Sequence, residues 1–298
     1  MAYRFVDSQK AAGFSVTMCC QVAQVSRAGF YEWKKHRDGV ATVTELEEAR
    51  LVSEIRKIHA ESDGTYGEPR VSDALRRRGW VVNHKRTERL MRLWGIVGYT
   101  PPKKKRTTIP ASNPASDLVG GDFAPGPPDR RWAGDITYIP TWEGFLYLAA
   151  VEDLGSRRIL GVSMASHMRA ELVCDALGEA CGLRGGDVAG SIFHSDKGAQ
   201  YTSGNFADLC EDYGIARSVG RTGICWDNAA IESWFATLKK ELVYRRTFRT
   251  RAEARLAIRA WIAWYNTRRT HSTLSYLTPT EWEDNHYRHS INTGTKTA

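Results

Sequence analysis

The chain has no C-x-x-C pair, and none of its cysteines stands at finger spacing from a histidine. The six are Cys19, Cys20, Cys174, Cys181, Cys210 and Cys225. A structural zinc site is therefore not expected, and buried reduced thiols are the default. No apolar run reaches the ~18 residues of a membrane span, and no signal peptide opens the chain. These absences predict a cytoplasmic protein with no membrane partner. A heptad run is also missing, so no long coiled coil is expected.

Length and charge are informative in the other direction. At 298 residues the chain has room for about two domains. A hydrophobic content of 42%, with Trp 10, Tyr 12 and Phe 9, supplies a real core. The net charge is +8, and its location matters more than its size. Residues 1–121 carry 21 Lys/Arg against 13 Asp/Glu, whereas residues 122–298 carry 21 of each. The whole surplus sits in the N-terminal part, as expected if that part docks on phosphates. A solvated basic surface is the plainer alternative.

Residues 15–34 read as two short helices around a turn near Gln24–Ser26, with Ser26 able to cap the second. With residues 1–45 they make a small helix-turn-helix-like segment, or two packed helices with no DNA role. Residues 46–98 read as a second helical unit that binds DNA. Its first helix, about Leu46 to Ala60, places Leu51, Val52, Ile55 and Ile58 on one face. SDGTYG is a turn. A short helix over 68–78 turns Val71, Ala74 and Leu75 inward and ends in Arg76, Arg77 and Arg78. Asn83 caps a third helix with Leu90, Met91 and Leu93–Trp94 apolar, and Gly95 or Gly98 stops it. Lys85, Arg86, Arg89 and Arg92 lie on that third helix, as a recognition helix after a turn requires. Residues 68–106 hold 12 Lys/Arg and 3 Asp/Glu. Residues 99–121 form a basic Pro/Ser-rich linker in which Lys103, Lys104, Lys105 and Arg106 can follow a DNA backbone.

The pattern then changes to an α/β core over 122–286, with 287–298 as a tail. Residues 131–140, 145–153 and 157–165 are strand-like, with a turn around Glu143–Gly144, and read as an antiparallel meander. Helices are expected over 169–183, 203–213, 227–243 and 251–266. Short strands are expected in GSIFHSD and over 214–219. Three strands followed by alternating helices and strands imply a mixed sheet.

Three carboxylates stand out in this core. Asp135 lies mid-strand in WAGDITYIP, where a charge is costly unless paired or metal-bound. Asp196 ends the apolar strand SIFHS, and ligands of open α/β sheets gather at strand carboxyl ends. Glu232 lies on an amphipathic helix. At about 100° per residue from Ile231, Trp234, Phe235, Leu238 and Leu242 cluster within about 60° of it. Glu232, Lys239 and Asn228 share one flank of that stripe, while Lys240 points about 180° away. Three acids from three elements can hold two divalent cations, which suits phosphodiester chemistry. Each has a plainer reading: a salt-bridged Asp135, a turn-capping Asp196, a surface Glu232. Asp227 competes as the third ligand, though it falls on the core side and suits a helix cap. His194 and Gln200 flank the second acid and can position substrate or simply pack. Arg245, Arg246, Arg249, Arg251, Arg255, Arg259, Arg268 and Arg269 could line a DNA groove. Trp261, Trp264 and Tyr265 at helical spacing read as core.

Several stretches together resemble a known family. They are RRWAGDITYIPTWEGFLYLAAVEDLGSRRILG, HSDKGAQYTS, DNAAIESWFATLKKE and YNTRRTHSTLSYLTPTEWE, with SDGTYGEPRVSDALRRRG and VSRAGFYEW upstream. The chain resembles the transposases of bacterial insertion sequences of the IS-three type, second-reading-frame products with a retroviral-integrase-like core. The likeness spans nearly all of residues 15–283. It implies an RNase H-like core, a mixed five-stranded sheet with flanking helices, preceded by helical DNA-binding segments. It implies Asp135, Asp196 and Glu232 as a metal-binding DDE triad holding two Mg²⁺ or Mn²⁺ ions. Lys239 is implied as a contact to transposon-end DNA. It further implies cleavage and joining at transposon ends, a homo-oligomer on transposon-end and target DNA, and a partner from an upstream reading frame. The bacterial nucleoid is the implied location when the protein is bound. Unlike retroviral integrases, this chain has no His-His-Cys-Cys zinc domain at its N-terminus. Two other readings stay open from sequence: a catalytically decayed DNA-binding regulator, and a structure-selective nuclease on the same fold.

Overall fold

The computed structural model describes residues 1–37, 43–100, 125–219 and 229–292. It divides into two compact units, Met1–Gly98 and Tyr99–Ala298.

The first unit is helical. Helices α1 (Ala2–Ala11), α2 (Val16–Val22) and α3 (Arg27–Arg37) pack around Val6, Cys19, Cys20 and Phe30. The Ser26 hydroxyl accepts the Gly29 N–H at 2.9 Å, so it caps α3 as its position in the sequence implies. Helix α1 was not expected from sequence; it buries a single residue, Val6, in the cluster with Cys19, Cys20 and Phe30. Helix α4 (Val43–Glu61) buries the expected Leu51, Val52, Ile55 and Ile58. Helix α5 (Glu68–Arg77) turns Val71 and Leu75 inward, but the third buried residue is Asp73, not Ala74. Arg76 and Arg77 pair with the Asp73 carboxylate, which makes that burial tolerable. Helix α6 (His84–Leu93) starts at Asn83, whose side chain accepts the Lys85 N–H at 2.9 Å. Leu90 and Met91 are buried, whereas Leu93 and Trp94 are exposed, contrary to expectation. Arg56 covers the Trp94 ring at 4.8 Å instead. Gly95, at φ +62°, ends the helix.

The second unit is built on a five-stranded sheet in the order β3-β2-β1-β4-β5. Strands β1 (Arg131–Thr141), β2 (Gly144–Asp153) and β3 (Ile159–Ala165) form the antiparallel meander. Strands β4 (Ile192–Ser195) and β5 (Ala216–Val219) join parallel to β1, through crossovers that carry α7 (Ala170–Leu183) and α8 (Gly204–Asp212). Period-two alternation splits the strands between two cores. Trp132, Ala149, Val151 and Phe193 pack under α7 and α8. Ala133, Ile139, Leu146, Leu148 and Ala150 pack under α9 (Ala229–Glu241) and α10 (Arg251–Thr267). Trp261 and Tyr265 of α10 are buried in this second core, with Trp264 against it. Helix α7 lies so close to β3 that a side chain at Gly161 would meet the backbone of Ala176 and Ala180.

A last helix, α11 (Pro279–Asn292), extends through residues the sequence reading left as a tail. Its Glu283 is buried and holds it down. The Ser156 hydroxyl donates to Glu283 Oε1 at 2.8 Å, and Arg158 and Arg184 both pair with the carboxylate. Burial would raise the Glu283 carboxyl, but the two arginines bring it below its ordinary range. Glu152 has no such help. It lies at the end of β2, and burial pushes its carboxyl up to about 8, with Arg157 opposing.

A prediction follows for stability against pH. The unfolded Glu152 ionises near 4.5 and the folded one near 8. Its contribution is intact below pH 4.5 and is lost as pH rises toward 8, by at most about 1.4 kcal/mol per pH unit. Asp153, raised to about 6 by burial, acts in the same direction. Glu152→Gln should therefore flatten the decline in unfolding free energy between pH 5 and 8. Denaturant titrations at several pH values measure it; an unchanged slope refutes the assignment.

Candidate active site

Asp135 sits in the middle of β1, on the same face as Ala133 and Ile139 by strand alternation. The opposite face at this point is full. A side chain at Gly134 would collide with the Phe193 ring and approach the Tyr201 hydroxyl to 3.2 Å. Asp135 is half-buried and its Oδ1 accepts the Ile136 N–H at 2.7 Å. Its carboxyl is pushed up to about 6. Burial is the main cause, and the charges of Asp196 and Glu232 add to it, against the Ile136 N–H and Lys239. Asp196, Glu232 and Lys239, named from sequence, thus all reach Asp135 through space.

The parallel pairing explains the second acid. Ala133 is in register with His194, so β4 runs beside β1 in the same direction and ends at Ser195. Asp196 follows at once, at the strand end level with Asp135. It is exposed, and its Oδ1 accepts the Gly198 N–H at 2.9 Å, which closes the turn. The plain turn-capping role is thus real, and it is played at a position level with Asp135.

Helix α9 brings the third. Ile231, Trp234, Phe235 and Leu238 are buried, as the helical wheel requires. Glu232 is exposed on the flank, Lys239 is half-buried and Lys240 is exposed. The Lys239 ammonium lies 5.4 Å from the centroid of the Tyr138 ring. Adjacent lysines in the sequence thus occupy unlike settings. Among the described residues, no three His, Cys, Asp or Glu side chains stand at closed metal-cluster spacing.

The flanking candidates fare differently. His194 is buried, with Nδ1 3.0 Å from the Ser218 hydroxyl of β5, so it braces the sheet. The Gln200 amide donates to the Met168 carbonyl at 3.0 Å and ties the turn after β4 to the β3–α7 connection. Asn228, the rival acid Asp227 and Cys225 lie outside the described residues. Tyr201 was missed. Burial first, then the charges of Asp135 and Asp196, push its hydroxyl well above the ordinary range, so it stays protonated beside the acids. A tyrosine in a Gly-rich turn offers no sequence signal for this; only the packing against Phe193 and Phe206 reveals it.

In the helical unit, many of the expected phosphate contacts already have partners. Arg76 and Arg77 hold Asp73, Arg78 holds Glu54 and Glu61, and Arg86 and Arg89 both reach Glu48 of α4. Asp73 lies on α5 itself, but Glu48, Glu54 and Glu61 come from α4, which charge counting could not foresee. Lys85 and Arg92 are exposed on α6. Lys103, Lys104, Lys105 and Arg106 lie outside the described residues. Of the later arginines, Arg269 is buried against Glu241 at 2.8 Å and Arg259 holds Glu179 at 3.0 Å. Arg255 donates to the Met164 carbonyl at 3.0 Å. Among the described residues no helix is long and apolar enough to cross a membrane.

Comparison with known proteins agrees with this architecture. Two models described as integrase core domain match residues 127–225 and 213–279, and an HTH-like domain model matches residues 45–105. The transposase InsF for insertion sequence IS3A of Escherichia coli (strain K12) is 34% identical over 290 residues, covering 95% of this chain and 99% of the relative. A candidate transposase for insertion sequence element IS986/IS6110 of Mycobacterium tuberculosis is 38% identical over 250 residues, 82% of this chain and 90% of the relative. Among solved structures, the catalytic core domain of HTLV-2 integrase in complex with magnesium covers 53% of this chain and 97% of its own, at 18% identity and a TM-score of 0.41. With a relative of this identity matched over nearly the full length of both chains, and integrase-core and HTH-like models in the corresponding segments, the chain belongs to the IS3-type insertion-sequence transposases.

Proposed function

We propose that this chain cuts DNA at the ends of an insertion sequence and joins them to target DNA, with Asp135, Asp196 and Glu232 as a metal-binding DDE triad. One observation carries the reading: Asp135, half-buried in the middle of β1, stands level with Asp196 at the end of β4, and Glu232 of α9 is near enough for its charge to reach the Asp135 carboxyl. Burial pushes the Asp135 carboxyl up to about 6, the charges of Asp196 and Glu232 add to that, and the Ile136 N–H and Lys239 oppose it. An oxygen-only donor set with surplus negative charge fits hard divalent cations such as Mg²⁺ or Mn²⁺. A pair of such ions held there supplies activation of water or a 3′-hydroxyl and stabilisation of a departing 3′-oxygen.

The remaining work belongs to the protein. Asp135 on a central strand and Glu232 on a core-packed helix hold their carboxylates on rigid elements. Lys239, on the same flank, meets a phosphate next to the scissile bond as a compact cation. Tyr201 is buried and held protonated, which suits a hydrogen-bond donor and not a nucleophile. That supports direct displacement with no covalent protein intermediate. The division of labour assigns residues 46–98 to DNA binding, 99–121 to a basic linker and 122–286 to catalysis, with 1–45 as a small helix-turn-helix-like segment. A homo-oligomer on DNA and a partner from an upstream reading frame complete the proposal.

Asp196→Asn should abolish cleavage and joining on DNA carrying the inverted repeats, with binding retained, assayed with and without the upstream product. Cutting without joining by the unaltered protein would favour the structure-selective nuclease; binding with neither would favour the decayed regulator.

The lysines supply an internal control. Lys239→Ala should weaken end-specific binding and lower 3′-end cleavage, while Lys240→Ala changes little. Equal losses remove the case for Lys239 as a substrate contact.

In the helical unit, Lys85→Ala with Arg92→Ala should weaken DNA binding and flatten its log–log salt dependence by about 0.9 per lost phosphate contact. Arg86→Ala and Arg89→Ala would also break the hold on Glu48, so their effect should include a lower melting temperature. An unchanged salt slope for the first pair rules out α6 as the phosphate-binding helix.

A further inference from the structure

The tip of the β1–β2 hairpin carries aromatic rings that neither core absorbs. Tyr138, Trp142 and Phe145 are 55%, 71% and 50% exposed. Tyr138 and Phe145 lie 4.9 Å apart between centroids, and Tyr147 continues the row 6.5 Å from Phe145. Tyr138 and Tyr147 are cross-strand partners, so these rings share the sheet face that α7 covers only further along β2.

Cations edge the row. The Lys239 ammonium lies 5.4 Å from the Tyr138 centroid, and the Arg249 guanidinium lies 5.6 Å from the Trp142 centroid. Arg251 donates through Nε to the Phe145 carbonyl at 3.1 Å. The carboxylate of the turn, Glu143, accepts the Arg251 backbone N–H at 2.8 Å. An exposed apolar row marks an interaction surface, and a cationic rim selects a polyanion.

Aromatic faces beside cations suit one form of nucleic acid better than the other. Unpaired bases stack on any ring while their phosphates meet the cations. A duplex keeps its base faces in its own stack and cannot use the rings. The row starts at Tyr138, about 10 Å along β1 from Asp135, and the strand ends at Thr141, about 20 Å from Asp135, with Trp142 in the turn beyond, room for several nucleotides. Asp135 projects from the opposite sheet face, but β4 ends at Ser195, level with it, so β1 from there to the hairpin tip borders the sheet margin. We propose that this hairpin face is a stacking platform for an unpaired DNA strand that passes from the carboxylate site round that margin. The inference rests on the reading above that those carboxylates act on DNA.

The test uses the full chain, an oligothymidylate of about 16 nucleotides and a duplex of equal length, at one fixed salt concentration. A Trp142→Ala/Phe145→Ala double variant should lose about 10-fold or more in affinity for the single strand, with duplex affinity held within about 2-fold. A Trp142→Phe/Phe145→Tyr variant should restore single-strand binding, because any ring face serves. 2-Aminopurine placed in the oligonucleotide should be quenched by the unaltered protein and not by the alanine variant. Unaltered single-strand affinity, equal losses on both DNAs, or no rescue by the aromatic variant would overturn the platform. A fall in sedimentation mass with single-strand affinity intact would assign the row to a second copy of the chain and overturn it too. If the unaltered protein binds neither DNA, the DNA-processing reading fails as well; if it binds duplex and the rings do not matter, the platform alone fails.

Discussion

The seating of α9 on the inner face of the β1–β2 ladder is the constraint on which the rest of the catalytic unit depends. Ile231, Trp234, Phe235 and Leu238 enter the same core as Ala133, Ile139 and Leu148. Burying four large apolar side chains contributes about 1.5–3 kcal/mol each. Apolar packing therefore sets where Glu232 and Lys239 point, and the acids accept the position. Trp234 against Trp261 and Tyr265 locks the rotation of α9 to α10. The Arg269–Glu241 pair fastens the far end of α9 to the chain after α10.

Elsewhere the molecule treats its charges quite differently. Glu283 is buried with two arginines and a serine, so every lone pair is engaged and α11 is pinned to the β2–β3 turn. Glu152 is buried without such partners, and its carboxyl rises to about 8. Asp135 stands between these cases: half-buried, one backbone N–H, two neighbouring acids and a lysine.

The helical unit shows how a net charge can mislead. The positive surplus of residues 1–121 is real, but Arg78, Arg86 and Arg89 are spent on Glu48, Glu54 and Glu61 of α4. Those pairs hold α5 and α6 against α4, and so shape the presentation of Lys85 and Arg92. A basic composition identifies a partner class; the pairing pattern identifies which side chains face it.

Local rules determined much of this protein from sequence alone. The period of the apolar residues set α4, α9 and α10; alternation and the Gly144 turn set the β1–β2 hairpin; Ser26 and Asn83 marked helix starts. The acids at Asp135, Asp196 and Glu232 were legible because a charge within an apolar strand, at a strand end or beside a buried stripe is a local anomaly. Helices α1 and α11 were not legible, because their burial comes from distant partners: Cys19, Cys20 and Phe30 for Val6, and Arg158 and Arg184 for Glu283. The same holds for Tyr201, for the arginines taken up by α4, and for Tyr138 reached by Lys239 from another element. Sequence periodicity reports which face of an element is apolar. Only the tertiary structure decides what lies opposite that face, because burial and Coulomb interactions depend on distance in space, not along the chain.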